Sequence, residues 1–183
     1  MSIFGPSNPV FAMLKKDHAK VKELFEQFEA AKDSRTKERI VRETLLELDV
    51  HATLEETLIY PAIKREVDAD DVMDEALEEH HVAHVLIDEL KRMSTGDDRY
   101  EAKFTVLGEN IKHHIKEEEG SMFSEAEKAD VDWEGLEEKV IERKEALMAK
   151  HANGKQQSMK VGGGKVKAGS GRRQVHRQSR RAA

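Results

Sequence analysis

The sequence predicts an all-α protein: an up-down-up-down four-helix bundle with a C-terminal extra helix and a disordered basic tail. Three observations lead there. Charged residues make up 37 % of the chain and aromatics only 5 %, a composition rich in Ala, Leu, Glu and Lys that favours helices over strands. Four stretches carry apolar residues at steps of three and four, the spacing of one helical face. Short polar turns separate them, so that consecutive helices pack antiparallel.

The first helix opens at Asn8-Pro9, where Asn can cap the free amides and Pro is tolerated at the first helical position. Its stripe is Leu14, His18, Val21, Phe25 and Phe28. The second begins at Asp33 or Ser34, with Ile40, Thr44, Leu48, His51, Glu55 and Leu58 on one face. Pro61 is expected to kink or end it. An acidic turn, Asp68-Ala-Asp70-Asp71, precedes the third, in which Leu77, His80, His84 and Ile87 form the stripe. After a loop with its own cap, Ser94-Thr-Gly96-Asp97, the fourth carries Phe104, Leu107, Ile111, His114, Glu118 and Met122. Gly108 and Gly120 weaken that helix by up to about 1 kcal/mol each relative to Ala. Asp132-Trp133 starts a fifth helix, expected to end near His151. The organisation expected is an N-terminal segment 1–8, the bundle 9–127, a C-terminal helix 128–151 and a disordered tail 152–183.

The charge is divided. Residues 150–183 contain ten Lys or Arg and no acidic residue, leaving 21 basic against 37 acidic residues in 1–149, a net of −16. There is no Cys, which excludes disulfides, thiolate metal sites and a Cys nucleophile and fits a reducing cytoplasm. No run reaches the ~18 apolar residues of a transmembrane segment, and the N-terminus lacks the features of a signal peptide.

The chemistry is concentrated in a repeat. His51-Ala-Thr-Leu-Glu55-Glu56 is echoed 63 residues later by His114-Ile-Lys-Glu-Glu118-Glu119. Positions i and i+4 share a helix face, so each copy aims one imidazole and one carboxylate in one direction. His18, His51, His80, His84 and His114, with Glu55 and Glu118, all fall on stripes facing the core. A lone core His is ordinarily satisfied by one hydrogen bond, but carboxylates are rarely buried unless paired. A metal would neutralise the two Glu and use the imidazole lone pairs. Five imidazoles and two carboxylates are too many for one tetrahedral zinc and too nitrogen-rich for calcium or magnesium. They suit two six-coordinate iron or manganese ions bridged by carboxylates. His81 and His113 point away from the stripe, although a one-residue change of phase would exchange His81 with His80. Glu56 and Glu119 are either solvated flank or partners that orient the ligand imidazoles.

The pattern His18 … His51-x-x-x-Glu55 … His80-x-x-x-His84 … His114-x-x-x-Glu118, over about residues 9–127, resembles the hemerythrin-like, or HHE cation-binding, family. The resemblance implies two non-haem iron ions with an oxo or hydroxo bridge. His80, His84 and His114 would hold one, His18 and His51 the other, and Glu55 and Glu118 would bridge them. The iron of His18 and His51 would keep a position for oxygen. Oxygen carriers of the family use a bridging Asp five residues after the fourth-helix His; here Glu118 follows His114 by four, which speaks against simple oxygen transport. The lack of Cys speaks against the role of the related iron–sulfur repair proteins.

The function expected is a di-iron protein that senses, binds or reacts with oxygen, nitric oxide or peroxide, with peroxide consumption as the candidate enzymatic activity. Iron storage or buffering without turnover is the alternative. Another is a metal-stabilised module working through its basic tail, residues 155–183, on nucleic acid or an anionic surface. Nothing in the sequence sets the oligomeric state.

Overall fold

The computed structural model describes residues 8–66 and 70–161, with side chains for 8–66 and 72–153. The expected N-terminal segment before Asn8, the start of the acidic turn at Asp68 and the basic run beyond Val161 lie outside the described residues. Four long helices make up the bundle: α1 (Pro9–Ala30), α2 (Ser34–Leu54), α4 (Asp70–Leu90) and α5 (Tyr100–Glu117). Each packs on two others, α1 on α2 and α5, α4 on α5 and α2. Two short helices, α3 (Tyr60–Lys64) and α6 (Phe123–Ala126), extend α2 and α5, and α7 spans Trp133–Val161. Among the described residues there is no strand, and no helix is long and apolar enough to cross a membrane.

The helix starts follow local chemistry. Asn8 accepts from the amides of Val10 and Phe11 ahead of Pro9, Asp33 accepts from Thr36, and Asp132 accepts from Gly135 at the head of α7. Helix α5 follows the loop that was expected to carry its own cap. Asp97 caps its own loop, accepting from the Ser94 amide at 2.7 Å. The helix itself begins behind Arg99, at φ 67° and without a side-chain cap. Helix α7 runs beyond His151. The segment Lys150–Val161 contains no proline, and its three Lys and two Gln are good helix formers. By contacts the chain divides between Ala149 and Lys150.

Two departures from the expected stripes matter for the site. First, α2 and α5 each pass through one π-helical turn, Glu55–Ile59 and Glu118–Met122. The amide of Tyr60 bonds Glu55 O and that of Phe123 bonds Glu118 O, five residues back. The two turns begin at the two Glu of the repeat. Pro61 follows the first, but Ser124 holds the matching place after the second, so proline is not what makes the turn. The extra residue shifts the phase: Ile59 is buried where Leu58 was expected, and Leu58 is half-buried. Proline does not end the segment at once, because it sits in the first turn of α3.

Second, the buried line of α4 is Met73, Ala76, His80, Ala83, Ile87 and Leu90. These alternate steps of three and four, the seam of a bundle helix. Leu77 and His84 are one residue further round. Leu77 is therefore exposed and His84 half-exposed.

The core has two apolar clusters. One contains Phe25, Phe28, Leu48, Ile87, Phe104 and Ile111. The other contains Leu14, Leu54, Tyr60, Met73, Phe123 and Leu136, the last from α7. Along each of the four helices the residues that separate the two clusters are the polar ones: His18, His51 with Glu55, His80, and His114 with Glu118. Each fully buried large apolar side chain contributes roughly 1.5–3 kcal/mol, and this burial on both sides offsets the cost of a polar layer in the middle.

Candidate metal centre

The polar layer is sealed. His18, His51, His80 and His114 are buried, and Glu55 and Glu118 are 0 % exposed. The imidazoles form two pairs, each spanning neighbouring helices. His18 Nε2 lies 3.0 Å from His51 Nε2, and His80 Nε2 lies 3.2 Å from His114 Nε2. The carboxylates sit between the pairs. Glu55 Oε1 is 3.0 Å from His51 Nε2 and Glu55 Oε2 is 3.3 Å from His80 Nε2. Glu118 Oε2 is 3.1 Å from His18 Nε2 and 3.9 Å from His114 Nε2. One donor atom each from His18, His51, Glu55 and Glu118 falls within 4.8 Å of the others, and the same is true of Glu55, His80 and His114. Glu55 belongs to both groups.

The outward nitrogens explain why the inward ones are free. His18 Nδ1–H donates to Glu119 at 2.9 Å, His80 Nδ1–H to Glu56 at 3.0 Å, and His114 Nδ1–H to Glu79 at 2.8 Å. His51 Nδ1 faces Asp17 at 3.8 Å, beyond hydrogen-bond reach. These carboxylates form a ring around the bundle: Asp17 of α1 serves α2, Glu56 beyond α2 serves α4, Glu79 of α4 serves α5, and Glu119 beyond α5 serves α1. Lys144 of α7 holds Asp17 through both oxygens, at 2.5 and 2.6 Å.

With Nδ1 donating, a neutral imidazole presents a lone pair at Nε2. Two facing lone pairs at 3.0 Å repel unless a proton or a cation lies between them. Without a metal, protons must do that work. Burial disfavours a charged His51, but the charge of Glu55, with Asp17 and Glu118, overrides it and pushes its pKa up to about 10. Burial is likewise overridden at His80, where Glu55 and Glu56 raise the pKa to about 9. Burial and the charge of His51 lower His18 to about 4, and burial chiefly lowers His114. The carboxylates split. Burial opposes ionisation of Glu55, but His51 and His80 hold it well below the usual range. Burial and the charge of Glu55 push Glu118 well above it.

Even so, Nδ1 of His51 has no hydrogen-bond partner, and both oxygens of Glu55 and Oε2 of Glu118 meet the imidazoles at ion-pair distance without a well-aligned hydrogen bond. Four buried polar atoms without a well-aligned hydrogen bond in one layer are costly, at about 1–3 kcal/mol each. A donor set of imidazole nitrogen and carboxylate oxygen suits first-row divalent or trivalent ions. The residues present could therefore hold such a metal ion.

Six of the seven residues expected at the site are thus brought together. His84 is not among them: its Nε2 bonds Glu56 Oε1 at 2.9 Å, the same oxygen that receives His80 Nδ1–H. His80 is buried and His81 exposed. Asp17, Glu79 and Lys144 are not singled out by the sequence. Asp17 and Glu79 each directly precede a core His, or nearly so, which is the only local signal; their partners lie one helix away.

The architecture and the layer define a class, helical bundles with a buried His/carboxylate cluster on their axis. Within it, residues 10–126 match the hemerythrin HHE cation binding domain, and the chain belongs to that family. In keeping with this, the fold matches the crystal structure of a hemerythrin HHE cation binding domain-containing protein from Mycobacterium kansasii. The TM-score is 0.65 at 27 % identity, covering 76 % of this chain and 87 % of that one. The chain is also 24 % identical over 115 residues to a DNA nickase of Nostoc sp.; the match takes in 61 % of this chain but only 32 % of the nickase.

Proposed function

We propose that the bundle, residues 9–127, holds two iron ions bridged by Glu55 and Glu118, and binds or reacts with a small diatomic ligand, oxygen or nitric oxide, or with peroxide. The observation that carries this is the division of Glu55: one oxygen faces the His18–His51 pair and the other the His80–His114 pair. Iron bound there would supply redox chemistry and an exchangeable coordination position.

The chain's own residues supply the rest. A cavity of about 20 Å³, open to the centre of a water-sized molecule, is lined by the site histidines with Val21, Leu48 and Ile87 around them. Space of that order admits one water-sized molecule, which suits a diatomic or peroxide. The apolar walls keep bulk water away from it. Tyr60 O–H points to Glu118 Oε1 at 3.4 Å, and burial with the charge of Glu55 holds its pKa well above the ordinary tyrosine value. It stays a proton donor beside the bridging carboxylate. The lack of Cys is consistent with work in a reducing cytoplasm.

The test is the metal content and visible spectrum of the protein from iron-rich cells, followed by azide and peroxide. Two irons per chain, a spectrum moved by azide and steady peroxide loss are expected of a reactive centre. Two irons with a spectrum unmoved by azide would indicate storage or buffering. No iron would overturn the reading.

A second reading has two observations in its favour: residues 155–183 are strongly basic, and one relative is a DNA nickase. Contact with nucleic acid through the tail would weaken steeply with salt as counterions are released. DNA titrations of the full chain and of residues 1–149, at low and moderate salt, test it. Equal affinities would remove the tail from the function.

A further inference from the structure

A second set of donors lies on the surface outside the buried layer. His113 Nε2 is 3.3 Å from Glu117 Oε1 and 3.5 Å from Glu79 Oε1. One donor atom from each of the three lies within 4.8 Å of the others. His113 and Glu117 are exposed and Glu79 is half-buried. By itself this is an ordinary i,i+4 surface pair with one more carboxylate nearby. Two further facts set it apart.

The first is that Glu79 has two ends. Its Oε1 faces exposed His113, while its Oε2 accepts from Nδ1 of buried His114 at 2.8 Å. The second is a cleft of about 170 Å³ between α4 and the end of α5. Glu75, Glu79 and Glu117 line it, and so do buried His114 and Glu118. Glu118 is wholly buried, and its Oε2, 3.1 Å from His18 Nε2, faces the buried layer. Among the described residues, no Lys or Arg lines the cleft. A groove lined by one sign of charge concentrates the opposite ion and speeds its arrival.

We propose that Glu79, His113 and Glu117 form a capture site for a first-row divalent cation beside this cleft, which Glu79 and Glu117 also line, and that the ion passes from there to the buried cluster. The inference rests on the two-ion reading of that cluster. The imidazole and two carboxylates select the same borderline ions as the buried donors. Their exposure makes the site weak, as a relay requires: an ion held tightly there would not move on. Glu79 need not leave His114 for this, because only its outer oxygen serves the captured ion.

The probe is Co²⁺ added to the metal-free full chain, with occupancy from equilibrium dialysis and loading followed by visible absorption in a stopped-flow mixer. The wild-type chain is expected to take up two ions tightly and a third weakly. His113→Ala and Glu117→Gln should keep the two tight ions, lose the third, and load about tenfold more slowly. Glu109→Gln, an exposed charge elsewhere on α5, should load at the wild-type rate. Mn²⁺ at low occupancy should broaden the His113 ring signal in proton NMR before that of His151. Unchanged loading and occupancy in His113→Ala and Glu117→Gln would overturn the proposal, as would equal slowing by Glu109→Gln. Loss of the tight ions from the wild-type chain, with the weak ion still bound at His113, would instead overturn the two-ion reading and leave the surface site standing.

Discussion

Glu55, on the π turn that ends α2, reaches across to α4 and sets its Oε2 3.3 Å from His80 Nε2. Its other oxygen stays 3.0 Å from His51, four residues back on its own helix. One carboxylate thereby joins the two imidazole pairs. Glu55→Gln keeps the shape and removes the charge and one acceptor. Bound iron per chain, measured by elemental analysis, should fall from two to one or fewer. A variant that still holds two irons would place the bridge elsewhere.

The ring of outer carboxylates predicts a graded effect. Glu56→Gln and Glu119→Gln leave every proposed ligand in place but weaken the hold on Nδ1 of His80 and His18. Loss of such a partner lowers metal affinity by roughly 10–100-fold. Competition with a chelator of known affinity should show that drop while stoichiometry at saturation stays at two. An unchanged affinity would show that packing, not the carboxylate, holds the rings.

The inward-facing donors were legible in the sequence for a physical reason. His18, His51, Glu55, His80, His114 and Glu118 occupy seam positions, and the seam repeats along each helix. What escaped depended on neighbours in space. The π turns both begin at a Glu of the repeat, but a stripe of threes and fours does not mark the extra residue, so the shift from Leu58 to Ile59 was invisible. His84 and Leu77 were misplaced because a stripe read every three or four residues does not separate the seam from its flank. Asp17 and Glu79 looked like solvated flank because each serves a histidine on the next helix.

Gly108 was unexplained by the sequence and has its reason in another helix. A Cβ there would come 2.9 Å from Phe25 Cδ1. Phe25 is buried and packs on Phe104 with ring centroids 4.9 Å apart, so it has little room to yield. Gly108→Ala should cost about 1–2 kcal/mol net of the gain in helix propensity. At Gly120 a Cβ would meet nothing within 4 Å, and Gly120→Ala should be neutral or stabilise by up to about 1 kcal/mol. Denaturant unfolding of both variants checks the contrast; equal effects would show that Phe25 does not set the α1–α5 spacing.

The protonation of the layer predicts opposite pH trends with and without metal. In the metal-free chain His51 is pushed up to about 10 and His80 to about 9, against about 6.5 for an unfolded His. The folded state therefore holds more protons, so this stabilisation is complete below about 6.5 and is lost as pH rises through the folded values. Glu118, held well above its ordinary value, acts in the same direction. Glu55 and His18, both lowered, titrate below this window. The Tm of the metal-free chain should fall between pH 6.5 and 9. Metal must displace the protons of His51, His80 and Glu118, so affinity rises with pH. The stabilisation added by metal should grow over the same range. Mixing with metal in weak buffer near pH 7 should release about one proton each from His51 and His80. Parallel trends, or no proton release, would mean that the ions do not occupy these positions.

His84 supplies the last prediction, because expectation and geometry differ there. The family resemblance implies it as a third imidazole for the ion of His80 and His114, yet its Nε2 lies on Glu56 and its side chain is 38 % exposed. It also lines the small cavity. To act as a ligand it must turn away from Glu56, leaving that oxygen to His80 alone. If it does so, His84→Ala should keep two ions at saturation but weaken the ion of the His80–His114 pair, while the ion beside His18 and His51 keeps its affinity. Titration with Co²⁺ separates the two steps. His81→Ala, the exposed neighbour, should change neither. Two steps of wild-type affinity in His84→Ala would make the residue a partner of Glu56 at the rim of the cavity. The second ion would then be left with two imidazoles, the same number as the first.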